Sequence, residues 1–280
     1  MRFFFSTAVI IMAFAVLVGC AHKGGLPIAQ AEELRTPAYD QQARNQNAAQ
    51  ANRQLYKGIY DIRTVSEVRI QDSGQISWQE KGVSLFAAMV QTDQKGAASE
   101  IGAITVSKGD HRYPIQVDQR HTAISAVSLS ADQQYLAIHL KHSNGHRLVI
   151  VNMKTGGYYP LNDYLSRNGR GTVDTIHAYQ WAPGGNQLAL AYGDNTRSSV
   201  ALYQTDQKML LDIPTSVVYE DTLVVVWHKN GKEFDFVSAG EENVYVLHRY
   251  TRSKNQVRKV KEIGGQEVAI LQAINPTYAK

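Results

Sequence analysis

The sequence has one cysteine, Cys20, in 280 residues, so no disulfide can form within the chain and stability has to come from packing. It has no surplus of either charge. Its 29 Lys and Arg against 25 Asp and Glu give a formal net charge of +4, with both signs mixed along the chain, which argues against nucleic acid as a partner. It has no G-x-S-x-G turn to present a nucleophilic serine. The string "SRNGRG", Ser166 to Gly171, lacks the GxxxxG spacing and the closing Lys-Ser/Thr of a phosphate-binding loop. Glu220-Asp221 and Glu241-Glu242 are adjacent carboxylates, but neighbours on a strand point to opposite faces, whereas retaining glycoside hydrolysis needs two carboxyls about 5–5.5 Å apart. The expectation is a chain without a catalytic set or cofactor, hence a binding protein rather than an enzyme.

What is present begins at the N-terminus. Phe3 to Gly19 is apolar and uncharged, preceded by Met1-Arg2, which is the layout of a secretory signal. The run falls short of the roughly 20 residues a bilayer core asks for. Leu17-Val18-Gly19-Cys20 resembles the lipobox of bacterial lipoproteins. That resemblance implies that Cys20 becomes the first mature residue and carries a thioether-linked diacylglycerol, usually with an amide-linked acyl chain. At about 0.8 kcal/mol per buried methylene, two or more chains anchor a protein stably. Ala21 is not the aspartate that retains lipoproteins in the inner membrane, so the implied address in a Gram-negative cell is the outer membrane, periplasmic side. Residues 1–19 are then the signal peptide and 20–56 the lipidated cysteine with a polar tether, rich in Ala, Gln and Asn ("QQARNQNAAQANRQ"). As a flexible coil, about 35 residues span on the order of 30–35 Å.

Residues 57–280 carry a repeat. "ISWQEKGVSLFAAMV" from Ile76, "VSLSADQQYLAIHL" from Val127, "YQWAPGGNQLALAY" from Tyr179 and "VVWHKNGKEFDFVS" from Val225 each place an apolar anchor seven residues before an apolar partner. The pairs are Trp78 and Leu85, Leu129 and Leu136, Trp181 and Leu188, Trp227 and Phe234. Gly82, Gly185 and Gly231 stand four residues past their anchors, where a tight hairpin needs a positive φ. A third apolar run and a weaker fourth follow each hairpin, so each unit reads as four short strands, a propeller blade. On Ser130-Ala131-Asp132 and Trp181-Ala182-Pro183-Gly184-Gly185 the pattern resembles the TolB-type repeat, a bacterial relative of the WD-repeat blade. The expected fold is all-β, a small β-propeller of four sequential four-stranded blades. Ile274 stands where a fifth anchor would fall. This leaves three endings open: a composite fifth blade from both termini, a four-bladed ring with a loose tail, or a ring completed by another chain.

His139, His142 and His146 lie close enough in sequence to suggest zinc, yet no acidic or thiol ligand is near, so they read as solvated turn histidines and no metal is expected. In a propeller the connections between blades open on the same side as the turns between each blade's second and third strands. That rim would gather Lys141, His142, His146, Arg167, Arg170 and Arg197, the candidate ligand- or partner-binding residues. "RYTRSKNQVRKVK", Arg249 to Lys261, reads as the turn and outer strand of the last blade, solvated or facing anionic lipid. The functional expectation is a lipid-anchored envelope module that binds a protein or ligand, with an envelope protein as partner. The alternative is an enzyme acting on envelope glycan or peptide through the propeller channel.

Overall fold

The computed structural model describes residues 54–62, 66–91, 99–117, 120–214, 218–241 and 244–277. Cys20, the expected signal and nearly all of the expected tether lie outside the described residues. Four antiparallel sheets follow one another along the chain. Blade 1 holds β1 (Arg69–Ile70), β2 (Gln75–Glu80), β3 (Val83–Val90), β4 (Glu100–Lys108) and β5 (His111–Ile115). Blade 2 holds β6 (His121–Leu129), β7 (Tyr135–His142), β8 (Gly145–Asn152) and β9 (Tyr158–Pro160). Blade 3 holds β10 (Thr175–Trp181), β11 (Gln187–Gly193), β12 (Arg197–Gln204), β13 (Met209–Asp212) and the short β14 (Tyr219–Glu220). Blade 4 holds β15 (Thr222–Trp227), β16 (Glu233–Ala239), β17 (Tyr245–Thr251) and β18 (Gln256–Ile263). The architecture is the all-β, four-bladed propeller that the repeats predict.

Each sheet packs on the next. One buried cluster joins Trp78 and Leu85 of blade 1 to Leu129, Leu136 and Ile138 of blade 2. A second joins Ala137, Leu148 and Ile150 of blade 2 to Trp181 and Leu188 of blade 3. A third joins Ala178, Ala189 and Leu202 of blade 3 to Trp227, Phe234 and Phe236 of blade 4. Blades 2 and 3 are therefore covered on both faces, and their inner strands are buried nearly throughout: every residue of β10 is buried, the polar Thr175, His177 and Gln180 included. Blade 1 alternates instead. Ile76 and Trp78 are buried while Gln79 is exposed and Ser77 half-buried.

The four anchors keep one register, Trp78 opposite Leu85, Leu129 opposite Leu136, Trp181 opposite Leu188 and Trp227 opposite Phe234. They do not keep one face. Trp181 and Trp227 point back to the preceding blade, and their indole Nε1 groups donate to the carbonyls of Ser128 (3.3 Å) and Gln180 (3.0 Å), each the residue before the preceding anchor. Trp78 points forward to blade 2, and its Nε1 is buried without a hydrogen-bond partner. The cause lies in the turn. Lys81 (φ 47°) and Gly82 (φ 76°) form a two-residue turn with both φ positive, which closes on the Glu80–Val83 pair. In the other blades a longer connection closes on Ser130 N to Tyr135 O (2.9 Å), Ala182 N to Gln187 O (2.8 Å) and His228 N to Glu233 O (2.9 Å), one residue from the anchor rather than two. Hydrogen-bonded and non-hydrogen-bonded pairs alternate along an antiparallel ladder and face opposite ways. The one-step difference thus turns Trp78 over. Blade 2, which has no glycine at this turn, puts Gln133 (φ 58°) in the left-handed position.

The composite fifth blade is not what the C-terminal segment forms. Ile274 ends a helix, α3 (Gly265–Ile274), whose buried Val268, Leu271 and Ile274 recur every three residues in a stretch of good helix formers. This helix and Tyr56 and Tyr60, in and just after a helical stretch over residues 54–59 (α1), cover Val224, Val226 and Val237 on the outer face of blade 4. Tyr56, placed by the sequence at the end of the tether, is 4% exposed and packs with the folded domain.

Candidate functional site

The rim is built from the turns between second and third strands and from the connections between blades. The blade 2 turn is Ser143-Asn144, one residue earlier than the Asn144-Gly145 read from the sequence, and Gly145, with φ 132°, opens β8 opposite His142. A Cβ there would collide with the Thr175 hydroxyl and approach the Asp174 carbonyl, so only glycine lets this turn lie against the start of β10. Hydrogen bonds hold the blade 3 turn. Thr175 donates to Asn195 Oδ1 (2.9 Å) and His177 Nε2 donates to the Asp194 carbonyl (2.7 Å), both within blade 3, while Asp221 N, just before β15, donates to the Thr196 carbonyl (3.2 Å) and ties that turn to blade 4.

The connection between blades 2 and 3 is not the open loop the sequence suggests. Its first half is a helix, α2 (Leu161–Arg167), that buries Leu161 and Leu165 between the two blades. Asn162, fully buried, accepts from Leu148 N (3.0 Å) and donates to the carbonyls of His146 (3.1 Å), Val173 (3.3 Å) and Asp174 (3.3 Å). Each of these backbone groups would otherwise be left without a partner away from water.

The six predicted rim residues divide into two groups. Lys141, Arg167 and Arg197 are exposed. Arg170 is not a displayed cation: its Nη1 donates to both carboxylate oxygens of Asp212 at 2.8 and 2.9 Å and fastens the connection to the outer strand of blade 3. The reading of solvated turn histidines also needs correction. His146 is buried, its ring 5.1 Å from that of His139. His142 is half-buried, its Nδ1 accepting from Asn144 N at 3.2 Å and its ring 5.6 Å from His121. His139 donates Nε2–H to the Ile176 carbonyl (2.9 Å), and burial followed by the nearby His146 pushes its pKa down to about 3. The His139 ring is therefore a neutral packing element at neutral pH. Among the described residues no group of three or more His, Cys, Asp and Glu is arranged to hold a metal ion.

The channel side carries a feature that the sequence does not announce. Tyr179 N donates to the Thr277 carbonyl (3.1 Å), and the Thr277 hydroxyl donates back to the Tyr179 carbonyl. Asn275 Nδ2 donates to the carbonyls of Tyr179 (2.9 Å) and Val225 (2.6 Å). The segment after α3 therefore lies along the inner strands β10 and β15, with Asn275 and Thr277 both buried. A channel active site between blades 3 and 4 would have to displace it.

A second unforeseen group pins the N-terminal end of the domain. Asp235, fully buried, accepts from Arg249 Nε (2.8 Å) and Nη2 (2.9 Å) and from the Tyr60 hydroxyl (2.7 Å), with His228 Nε2 at 3.1 Å. Burial alone would raise its pKa, but the hydrogen bonds from His228 and Arg249 outweigh it and hold the carboxyl below the usual range. Arg249, the first basic residue of the predicted outer run, is thus internal. The sequence signal was a lone Asp between Phe234 and Phe236, directly opposite Arg249 in the ladder.

No family model matches the sequence, and no curated protein matches it. Among solved structures, a TolB protein from Agrobacterium tumefaciens is similar at 12% identity and a TM-score of 0.40, over 74% of this chain and 88% of that one. TolB from Acinetobacter baumannii matches at 11% and 0.38, over 71% and 56%. An acylaminoacyl peptidase from Pyrococcus horikoshii matches at 11% and 0.41, over 75% of this chain but 33% of its own. Likeness at this level carries no functional argument; the propeller rests on the four sheets themselves.

Proposed function

We propose that this chain is a lipid-anchored binding module of the bacterial cell envelope, held by acylated Cys20, that captures an anionic surface of another envelope protein with its rim. The observation that carries the reading is the exposure of Lys141, Arg167 and Arg197 at the ends of β7, α2 and β12, on a rim tied by Asn162 from blade 2 to the residues before β10 and by Asp221 N and the Thr196 carbonyl from blade 3 to blade 4. Displayed cations on a rigid support suit recognition, since little ordering is required on binding. A guanidinium adds a planar fork that fits a carboxylate. Channel chemistry is the weaker reading, because Asn275 and Thr277 occupy the inner strands of blades 3 and 4.

The test is cross-linking in the native envelope, with wild type beside a Lys141→Ala, Arg167→Ala, Arg197→Ala variant. Exposed substitutions stay within about 0.5 kcal/mol each, so thermal stability should hold while the defined cross-linked partner is lost. Retention of that partner by the triple variant at both low and high salt would move the site off this rim. The anchor is tested separately. Cys20→Ser should abolish lipid labelling and leave the protein unprocessed or released, and normal mature size in the membrane fraction would refute it.

A further inference from the structure

Between the link from blade 1 to blade 2 and the outer half of blade 2 lies a cavity of about 320 Å³. That is at the small end of the roughly 300–1,000 Å³ of small-molecule sites. Four polar side chains on different elements meet there: His121 at the start of β6, Arg147 on β8, Tyr158 on β9 and Asp163 on α2. None belongs to the exposed rim cations.

Three of the four, Arg147, Tyr158 and Asp163, have bonding capacity that the fold leaves unused. His121 is 2% exposed, and its Nδ1 has no hydrogen-bond partner. Burial, then the neighbouring His142 and Arg147, pushes its pKa down to about 4, so the ring is neutral at pH 7. Nδ1 is itself buried, so the ring shapes the cavity wall and offers no bond to an occupant. Arg147 and Asp163 touch through one atom each, Nη1 to Oδ1 at 2.6 Å, whereas a guanidinium and a carboxylate can meet through two. Arg147 Nη2 and Asp163 Oδ2 thus stay available beside each other. Tyr158 accepts from Gln116 N at 3.0 Å, which leaves its own proton to donate. The paired charges cancel, and on the same face of blade 2, between Arg147 and Tyr158, lie the apolar partners Val149 and Pro160.

We propose that this cavity binds a free aliphatic α-amino acid as its zwitterion, the carboxylate on Arg147 and Tyr158, the ammonium on Asp163, and the side chain against Val149 and Pro160. A lone anion would meet Asp163, and a lone cation would meet Arg147. A zwitterion is repelled by neither. The proposal is independent of the rim reading, since no residue is shared.

The experiment is calorimetry on the full chain with alanine, valine and leucine, alongside isobutylamine and isovaleric acid, which are valine without its carboxylate and without its ammonium. At least one of the amino acids should bind, and valine should bind at least about tenfold more tightly than either fragment, as loss of a charge-assisted hydrogen bond implies. Arg147→Met should weaken amino-acid binding by about tenfold or more. Because that variant leaves Asp163 without its partner, Arg147→Met/Asp163→Leu removes both charges together, and it should keep its fold and lose binding equally. Absence of binding by all three amino acids at millimolar concentration would overturn the proposal. So would isovaleric acid binding as tightly as valine, which marks an anion site, or undiminished binding by the folded double variant.

Discussion

The two ends of the blade array are finished in opposite ways. At one end, blade 4 presents Val224, Val226 and Val237 outward, and α3 with Tyr56 and Tyr60 covers them. At the other end, no helix among the described residues covers blade 1; its outward face carries exposed Gln79 and Phe86 and half-buried Ser77 and Ser84, along a groove of about 500 Å³. A stacked array needs ends that tolerate water. One end acquires a lid. The other becomes tolerant by turning its anchor inward, and a two-residue turn at Lys81-Gly82 is enough to do it.

The largest effect should come from the covered end. Arg249→Met leaves the Asp235 carboxylate buried without its bidentate partner, which costs about 3–5 kcal/mol. Urea unfolding would read this directly. A loss below 1 kcal/mol would mean that Tyr60 and His228 suffice to hold the charge and that the network is not what fastens this end.

The middle of the array should respond to acid through His121 and His139. Both have folded pKa values depressed below the ordinary 6.5, to about 4 and about 3. Between those values and 6.5 the unfolded chain binds more protons than the folded one, so stability falls as pH falls through that window, on the order of 1 kcal/mol per pH unit per histidine. Asp235, depressed below the usual carboxylate range, adds loss only at lower pH. Melting temperatures from pH 7 to 5 should decline, and His139→Gln should flatten the slope; an equally steep slope in that variant would assign the protons elsewhere.

Replacing each tryptophan by Phe separates the inner seams from the open end. Trp227→Phe and Trp181→Phe each lose an indole bond to the preceding blade, whereas Trp78→Phe loses none. The first two should cost about 1 kcal/mol more than the third, the net value of a typical hydrogen bond. Equal losses at all three positions would contradict the reversed orientation of Trp78.

The smallest effect is expected at the open face. Phe86→Ser should change stability by no more than about 0.5 kcal/mol, since the ring is 47% exposed. Light scattering should give a monomer before and after the change. A dimer that dissociates in Phe86→Ser would show that blade 1 ends on another chain rather than on water.

How far the sequence could be read differs between scaffold and site. The four hairpins were legible because anchor, turn and partner lie within eight residues, and the positive φ of Gly82, Gly185 and Gly231 follows from local sterics. The exposure of Lys141, Arg167 and Arg197 was legible from polarity alone. Arg170 was misjudged because its partner, Asp212, is 42 residues away on the next blade's outer strand. His146 was misjudged because a residue beside a turn can still be buried, here with its ring beside that of His139 on the adjacent strand. The buried Asn162 looked like any loop asparagine, since its four backbone partners come from β8 and from the start of β10.

Four repeated blades, their registers and a single cysteine at the end of an apolar N-terminal stretch were readable from the residues alone, because each depends on period, spacing or residue chemistry over short stretches. The tertiary structure decided which face each anchor takes, that the C-terminal segment is a helix followed by a strip along the inner strands, and which rim cations are displayed. Those outcomes depend on hydrogen-bond parity at one turn and on partners brought together from distant positions, and neither is written in local pattern.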